Sequence, residues 1–417
     1  MLRLPPTHKV KLLILLGSLY TSQFIPNVFF TVAIPVYLRS LGATLETVGL
    51  LSVLFIPWGL KVLWAPVVDR YGFTRWGHYR VWIFGTQSLA ALLIVICALL
   101  DLQAHLSLLV GFMFVIAVLC ATQDIATDAL AVGLLPASDR GLVNGVQSVG
   151  GYLGAIIGAG GMLILLDRWA WTPTMLTLAL VMMVSTLPLL SVQERLYRPP
   201  MAALSASLWG YCGQQIKHFY QRPGMKTWLL VLLLYTIGGA MGHAMLRPLM
   251  VDLGFSLSEV GWLLGIASYA TGILGAIAAI PCIYRLGRKQ SLILFAGLKA
   301  LALLAFLIPT VGTTTATGVY LVVLLFYFVM GLISTVMYTV FMDKSEHSVA
   351  GFNYSFQTSV TLFSEISGAA ISGFLVTAIG YPFFFILCSG VSLLSLVVIR
   401  QGIGNMEPMV QAKLSSL

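Results

Sequence analysis

Leu41-Gly42-Ala43-Thr44-Leu45-Glu46-Thr47-Val48-Gly49 opens an apolar run that closes on Ala65-Pro66-Val67-Val68-Asp69-Arg70-Tyr71-Gly72, and both flanks return in the second half of the chain. Leu253-Gly254-Phe255-Ser256-Leu257-Ser258-Glu259-Val260-Gly261 repeats the opening pattern, L-G-x-[ST]-L-x-x-V-G. Ile280-Pro281-Cys282-Ile283-Tyr284-Arg285-Leu286-Gly287 repeats the closing one, aligning Pro66 with Pro281, Arg70 with Arg285 and Gly72 with Gly287. A third echo sets Gly141-Leu142-Val143-Asn144-Gly145-Val146-Gln147-Ser148 against Gly351-Phe352-Asn353-Tyr354-Ser355-Phe356-Gln357-Thr358. Echoes in the same order imply two related halves, as in parallel repeats about an axis along a membrane normal.

Between these landmarks the chain is too apolar for water. Hydrophobic residues make up 59% of the 417 and charged residues only 9%, against about 25% charged in a soluble domain. Apolar stretches of ~20 residues, each long enough to cross ~30 Å of hydrocarbon, recur throughout. The short alternating segments of a membrane barrel are absent. The spans expected are 12–38, 47–68, 80–100, 106–134, 141–166, 170–191, 227–250, 259–283, 290–310, 317–342, 352–378 and 381–400. The expected fold is therefore an all-α membrane protein of twelve transmembrane helices in two six-helix halves. Its divisions are 1–192, a polar linker at 193–226, and 227–417. The run from Leu12 to Leu38 passes Gly17 without an A-x-A-like cleavage site, so it reads as the first span and not as a leader.

The charge of +9 has a topological explanation. Lys61, Arg247 and Lys299 lie inside spans, and 18 of the other 20 Lys and Arg fall on the linker side of the membrane, leaving Arg39 and Arg168 opposite. The positive-inside rule then places both termini in the cytoplasm and makes nucleic acid an unneeded partner. Five scattered cysteines show no C-x-x-C spacing, so no metal site, disulfide framework or other cofactor site is indicated. Nor is there a Walker A motif. The six histidines converge with no nucleophile or second ligand, which argues against an enzyme.

Asp69-Arg70-Tyr71-Gly72-Phe73-Thr74-Arg75 resembles the D-R-x-G-r-[RK] signature of the major facilitator superfamily, and Arg285-Leu286-Gly287-Arg288-Lys289 resembles its second copy. The resemblance implies a cytoplasmic gate latch made by Asp69, Arg70, Gly72, Arg75, Arg285, Gly287 and Arg288. Glycine permits the sharp turn, and a carboxylate at a helix end can cap a neighbouring helix N-terminus. Two departures are Ala65 in place of the leading glycine and Tyr284 where Asp69 would recur.

The fourth span holds Ala121-Thr122-Gln123-Asp124-Ile125-Ala126-Thr127-Asp128-Ala129. Asp124 and Asp128 are one turn apart on one helix face, ~18 and ~12 Å from the end at Pro136. A carboxylate facing lipid there costs roughly 2.5–3.5 kcal/mol, so both must face protein or water. The pair suits a site that takes up and releases a proton. The alternative is a structural partner for Lys61, which lies at about the depth of Asp128, or for the gate loop. In span 7, His243 and Arg247 share a face, with Arg247 either an interfacial anchor or a grip on an anionic substrate. Glu365 is either a second protonatable site or a partner for Lys299 or Arg247. Gln23, Gln123, Asn144, Gln147 and Gln357 offer uncharged hydrogen bonds at membrane depth.

The stretch Lys61-Val62-Leu63-Trp64-Ala65-Pro66-Val67-Val68-Asp69-Arg70-Tyr71, taken with the fourth-span motif, is similar to a pair found in one branch of that superfamily. The branch contains muropeptide permeases, acetyl-CoA transporters and siderophore permeases of the rhizobactin, pyochelin and yersiniabactin type. Muropeptide permeases there usually carry two additional spans, so a twelve-span chain points towards the siderophore group. The resemblance implies a monomeric inner-membrane importer of a small-molecule substrate, a siderophore, working by alternating access with protons as the driving partner and the lipid bilayer as its solvent. The alternatives are a muropeptide or other amphiphilic-anion permease, a drug exporter, and a non-transporting receptor or scaffold.

Overall fold

The computed structural model describes residues 6–40, 51–72, 76–102, 104–134, 138–191, 208–312 and 315–402. Regular structure among them is helical, with no β-strand. Nine helical runs are long and apolar enough to cross a membrane among the described residues: Val10–Leu38, Tyr79–Ala98, Leu106–Leu134, Arg140–Trp169, Trp171–Ser191, Met225–Asp252, Glu259–Val311, Ala316–Lys344 and Ala350–Gln401. Two of these, 53 and 52 residues long, are each twice the length of a span. The first breaks at Gly287 (φ 78°, ψ 173°) and the second at Gly380 (φ 75°, ψ 162°). Only glycine adopts such backbone freely, so each run is two spans. The shorter apolar helix Val53–Leu63 supplies the twelfth, its expected start at 47–50 lying outside the described residues. Gly287 and its repeat partner Gly72 (φ 124°) both take positive φ, as the shared turn motif requires.

The chain packs as two compact units. One comprises Met1–Leu135, Val149–Gly213 and Ser345–Ser355, the other Pro136–Ser148, Gln214–Lys344 and Phe356–Leu417.

In the first unit every residue from Cys120 to Val132 of the fourth span is buried. A helix apolar all round but for a few polar groups belongs in the centre of its bundle, and the first, second and third spans pack about it. The fifth span meets the first through Gly150, Gly154 and Gly158. A Cβ on Gly154 would stand 2.6 Å from the Thr21 carbonyl, and one on Gly158 2.5 Å from that of Ile25. Small residues at this spacing let two helix backbones touch. The first span widens into a π-turn at Phe29–Ala33, just before Pro35. The proline ring would otherwise crowd the Thr31 carbonyl one turn back, and the wider turn relieves it.

In the second unit spans 8 and 10 make the same kind of contact more tightly. A methyl group on Gly275 would overlap the Phe328 carbonyl, and one on Gly331 the Gly272 carbonyl. Gly331→Ala is therefore expected to force the two backbones apart, a cost on the order of 1–3 kcal/mol or more. Gly261→Ala, which meets open space, is the control. Thermal unfolding in detergent should drop sharply for the first and hardly move for the second.

Candidate functional site

The first unit gathers its charges on the fourth span. Asp124 accepts a hydrogen bond from Gln23 Nε2 at 2.6 Å and is ion-paired to Lys61 by a short contact. Asp128 Oδ2 lies 3.9 Å from the same Lys61 ammonium, while Asp128 Oδ1 accepts from the Tyr20 hydroxyl at 2.8 Å. Lys61, Asp124, Asp128, Gln23 and Tyr20 are all buried, none more than 6% exposed. Gln123 is buried alongside, its amide without a hydrogen-bond partner among the described residues.

The level expected for Lys61, that of Asp128, fits its 3.9 Å ion pair with Asp128, and its shorter contact goes to Asp124 one turn along the fourth span. Lys61–Leu63 is a 3-10 turn and the helix restarts at Ala65. Trp64, at the break, donates from Nε1 to Thr122 Oγ1 at 3.0 Å and pins the second span to the fourth.

The electrostatics follow from the count. Lys61 is the one Lys or Arg in the interior of the spans of residues 12–191, Arg80 standing at the first residue of the third, and it serves two carboxylates. With all three ionised the cluster carries a net negative charge away from water, which is costly. One added proton makes it neutral.

At the end of the second span, Asp69 Oδ1 accepts from the Gly351 N–H at 2.9 Å and from the Tyr79 hydroxyl at 3.0 Å, and Oδ2 accepts from the Phe352 N–H at 2.7 Å. The carboxylate thus caps the helix that starts at Ala350, where orphan N–H groups and the helix dipole favour an anion. A Cβ on Gly351 would stand 2.6 Å from Asp69 Oδ1 and 2.9 Å from Ile125, so this glycine is required by the cap. Burial pushes the Asp69 carboxyl up to about 6, outweighing the two N–H groups and the tyrosine that pull it down. An ordinary aspartate titrates near 3.9. The part of the stability that is linked to this proton is then full below about 4 and is lost as pH rises through about 6, the hydrogen bonds of the cap remaining. The melting-temperature gap between wild type and Asp69→Asn should accordingly widen in favour of wild type on acidifying from pH 7.5 to 5. A gap that stays constant would show that the carboxyl does not titrate there.

The second copy of the motif works differently. Tyr284, at the position of Asp69, is 48% exposed. The carboxylate is supplied instead by Asp343 at the end of the tenth span. It pairs with Arg288 Nε at 3.1 Å and with Arg140 Nη1 at 2.9 Å. Arg140 also donates to the Met342 carbonyl at 3.0 Å. Gly72 and Gly287 take the turn conformations expected of the motif, Arg70 lies beside the Tyr71 ring and Arg285 is exposed. Arg75 lies outside the described residues. Asp343 and Arg140 were not singled out from the sequence, since both read there as ordinary span-end charges. Tyr284→Phe should leave stability unchanged, whereas losing the charged cap of Asp69 removes about 1.5–3 kcal/mol per hydrogen bond. Denaturation of the two variants side by side measures the asymmetry.

The remaining candidates lie in the second unit and do not form one cluster. Gln357 is fully engaged, its Oε1 accepting from Trp228 Nε1 at 2.7 Å and its Nε2 donating to the Phe341 carbonyl at 3.1 Å. Asn144 donates to the Arg140 carbonyl at 2.6 Å and Gln147 is buried nearby on the same helix. Lys299 is buried against Tyr235, donating to its carbonyl and standing 4.3 Å from its ring centre. Glu365 is exposed and pairs with neither Lys299 nor Arg247. His243 is also exposed, with a ring nitrogen 2.9 Å from the Tyr327 hydroxyl.

Known proteins share this architecture. The fold is similar to that of FucP in its outward conformation, with a TM-score of 0.71 at 16% identity over 94% of this chain and 98% of that one. It is likewise similar to the proton:xylose symporter XylE, with a TM-score of 0.69 at 11% identity. In sequence the chain is 23% identical to the anhydromuropeptide permease of Escherichia coli, covering 86% of this chain and 73% of the permease. It is 25% identical to a protein of Rickettsia conorii named as a transporter, AmpG 4, over 68% of this chain and 70% of that one. Residues 12–364 match the family model described as Major Facilitator Superfamily. The chain is therefore a multi-pass membrane protein and belongs to the Major Facilitator Superfamily.

Proposed function

We propose that this transporter is a proton-driven muropeptide permease of the bacterial inner membrane. Two six-helix halves, 1–192 and 227–417, would be joined by a cytoplasmic linker at 193–226, with both termini in the cytoplasm. The siderophore assignment drawn from span number gives way, because the relatives reported above are named for muropeptide permease and AmpG-type transport. Span number is a weak guide to cargo: extra helices at the edge of a bundle need not touch the substrate.

The observation that carries the driving force is the Lys61–Asp124–Asp128 cluster, in which one ammonium serves two carboxylates away from water. Asp124 is the carrier of the proton in this reading. Lys61 holds Asp124 while it is ionised and turns to Asp128 when a proton arrives. Gln23 and Tyr20 keep the two carboxylates oriented from the first span. Asp69 and the Arg140–Asp343–Arg288 group act as the gate latch.

Uptake of a radiolabelled anhydromuropeptide into proteoliposomes, acidic outside, tests the proposal. Accumulation above equilibrium that collapses with a protonophore is the expected result. Equilibration without accumulation would remove the proton from the account, and no uptake would remove the muropeptide.

A further inference from the structure

We infer that His243, Tyr269, Tyr327 and Arg247 form a substrate subsite in the second unit, one that takes a carboxylate carried on a ring-bearing solute. The inference rests on the muropeptide reading above and assigns the part of the cargo that this unit holds.

Three side chains meet at one depth. His243, Tyr269 and Tyr327 lie nine, ten and eleven residues from the span ends at Asp252, Glu259 and Ala316, or ~14–17 Å along their helices. These ends adjoin the short connections after spans 7 and 9, so they belong to the same side of the membrane. The Tyr327 ring stands 5.6 Å from His243 at 61° and 6.0 Å from Tyr269 at 79°. The hydroxyl of Tyr327 is hydrogen-bonded to His243. The three rings are packed edge to face, the buried Tyr327 standing behind the exposed His243 and the half-buried Tyr269 and fixing the surface that those two present. Such surfaces, with a few polar groups, are what small-molecule sites are made of.

Arg247 supplies the charge. It follows His243 by four residues, across a helix break at Met245. It is exposed, lies within electrostatic reach of both His243 and Tyr269, and pairs with no carboxylate among the described residues. Glu365, an acid of the same unit with no ion pair among the described residues, does not neutralise it. A guanidinium without a carboxylate partner among the described residues, near these rings, fits a carboxylate geometrically, since its fork donates to both oxygens at once. A muropeptide presents that combination, a sugar ring joined to a peptide with free carboxylates. An arginine that merely anchored the helix at the interface would not distinguish a charged cargo from a neutral one.

The test uses the full chain in nanodiscs, titrated calorimetrically with N-acetylmuramyl-alanyl-glutamate and with the same compound amidated at its carboxylates. Wild type should bind the acid more tightly than the amide. Arg247→Gln should weaken the acid by about ten- to a hundredfold, the loss of a charged hydrogen bond, and leave the amide nearly unchanged. Tyr327→Phe should weaken both probes alike and preserve their ratio. Wild-type affinity of Arg247→Gln for the acid, or an equal loss on both probes, overturns the subsite while the muropeptide reading survives. Wild type binding neither probe overturns that reading and the subsite with it.

Discussion

Asp124→Asn is expected to abolish concentrative uptake while leaving a folded transporter that still exchanges substrate across the membrane. The substitution keeps the shape of the side chain and an acceptor oxygen for Gln23, whose hydrogen bond to Asp124 is 2.6 Å. Lys61 retains Asp128, whose Oδ2 already lies 3.9 Å away, so the cluster becomes neutral and stays so. What is lost is the site proposed to change charge during the cycle. Without it a proton gradient has nothing to act on, because a ligand shifts an equilibrium only through its differential affinity for the two states. The expected readout is uptake that stops at equilibrium, independent of pH, with counterflow of labelled against unlabelled substrate preserved. Accumulation at the wild-type level in Asp124→Asn would make the carboxylate structural and move the proton elsewhere.

The repeats made the twelve-span architecture legible, because glycine and proline mark turns that few other residues can form. Gly72 and Gly287 both carry positive φ, and the break at Gly287 falls where the echo of the first turn placed it. The contacts were less legible. Nothing in the spacing shows that Asp69 would meet Gly351, since they lie far apart in the chain and only folding brings the second span to the start of the eleventh. Gln147 and Gln357 align in the repeat, yet the alignment does not foretell that Gln357 engages Trp228 and Phe341. Equivalent positions in a repeat share a backbone environment, and their hydrogen bonds depend on neighbours that the repeat does not conserve. Tyr20 escaped notice for a simpler reason. A tyrosine in an apolar span reads as a large hydrophobe until its hydroxyl is found 2.8 Å from Asp128.

Lys61→Gln is expected to be the most damaging single change for folding, and the pattern of its rescue tests the charge count directly. Removing the ammonium leaves Asp124 and Asp128 one turn apart without a cation, in a span whose residues are buried from Cys120 to Val132. Breaking a buried ion pair from one side costs about 3–5 kcal/mol, here with a second carboxylate adding its own repulsion. The asymmetry with Asp124→Asn is the informative part. Losing one carboxylate leaves a balanced pair, whereas losing the lysine leaves two like charges. Adding Asp124→Asn to Lys61→Gln should therefore recover part of the folded protein, and adding Asp128→Asn as well should recover most of it. Groups that share one partner are coupled, so the effects are not additive. Monodisperse yield and melting temperature across the four combinations would read this order. If Lys61→Gln alone were as stable as wild type, or if each further neutralisation made matters worse, the three charges would not form one unit, and the proton site proposed on them would lose its basis.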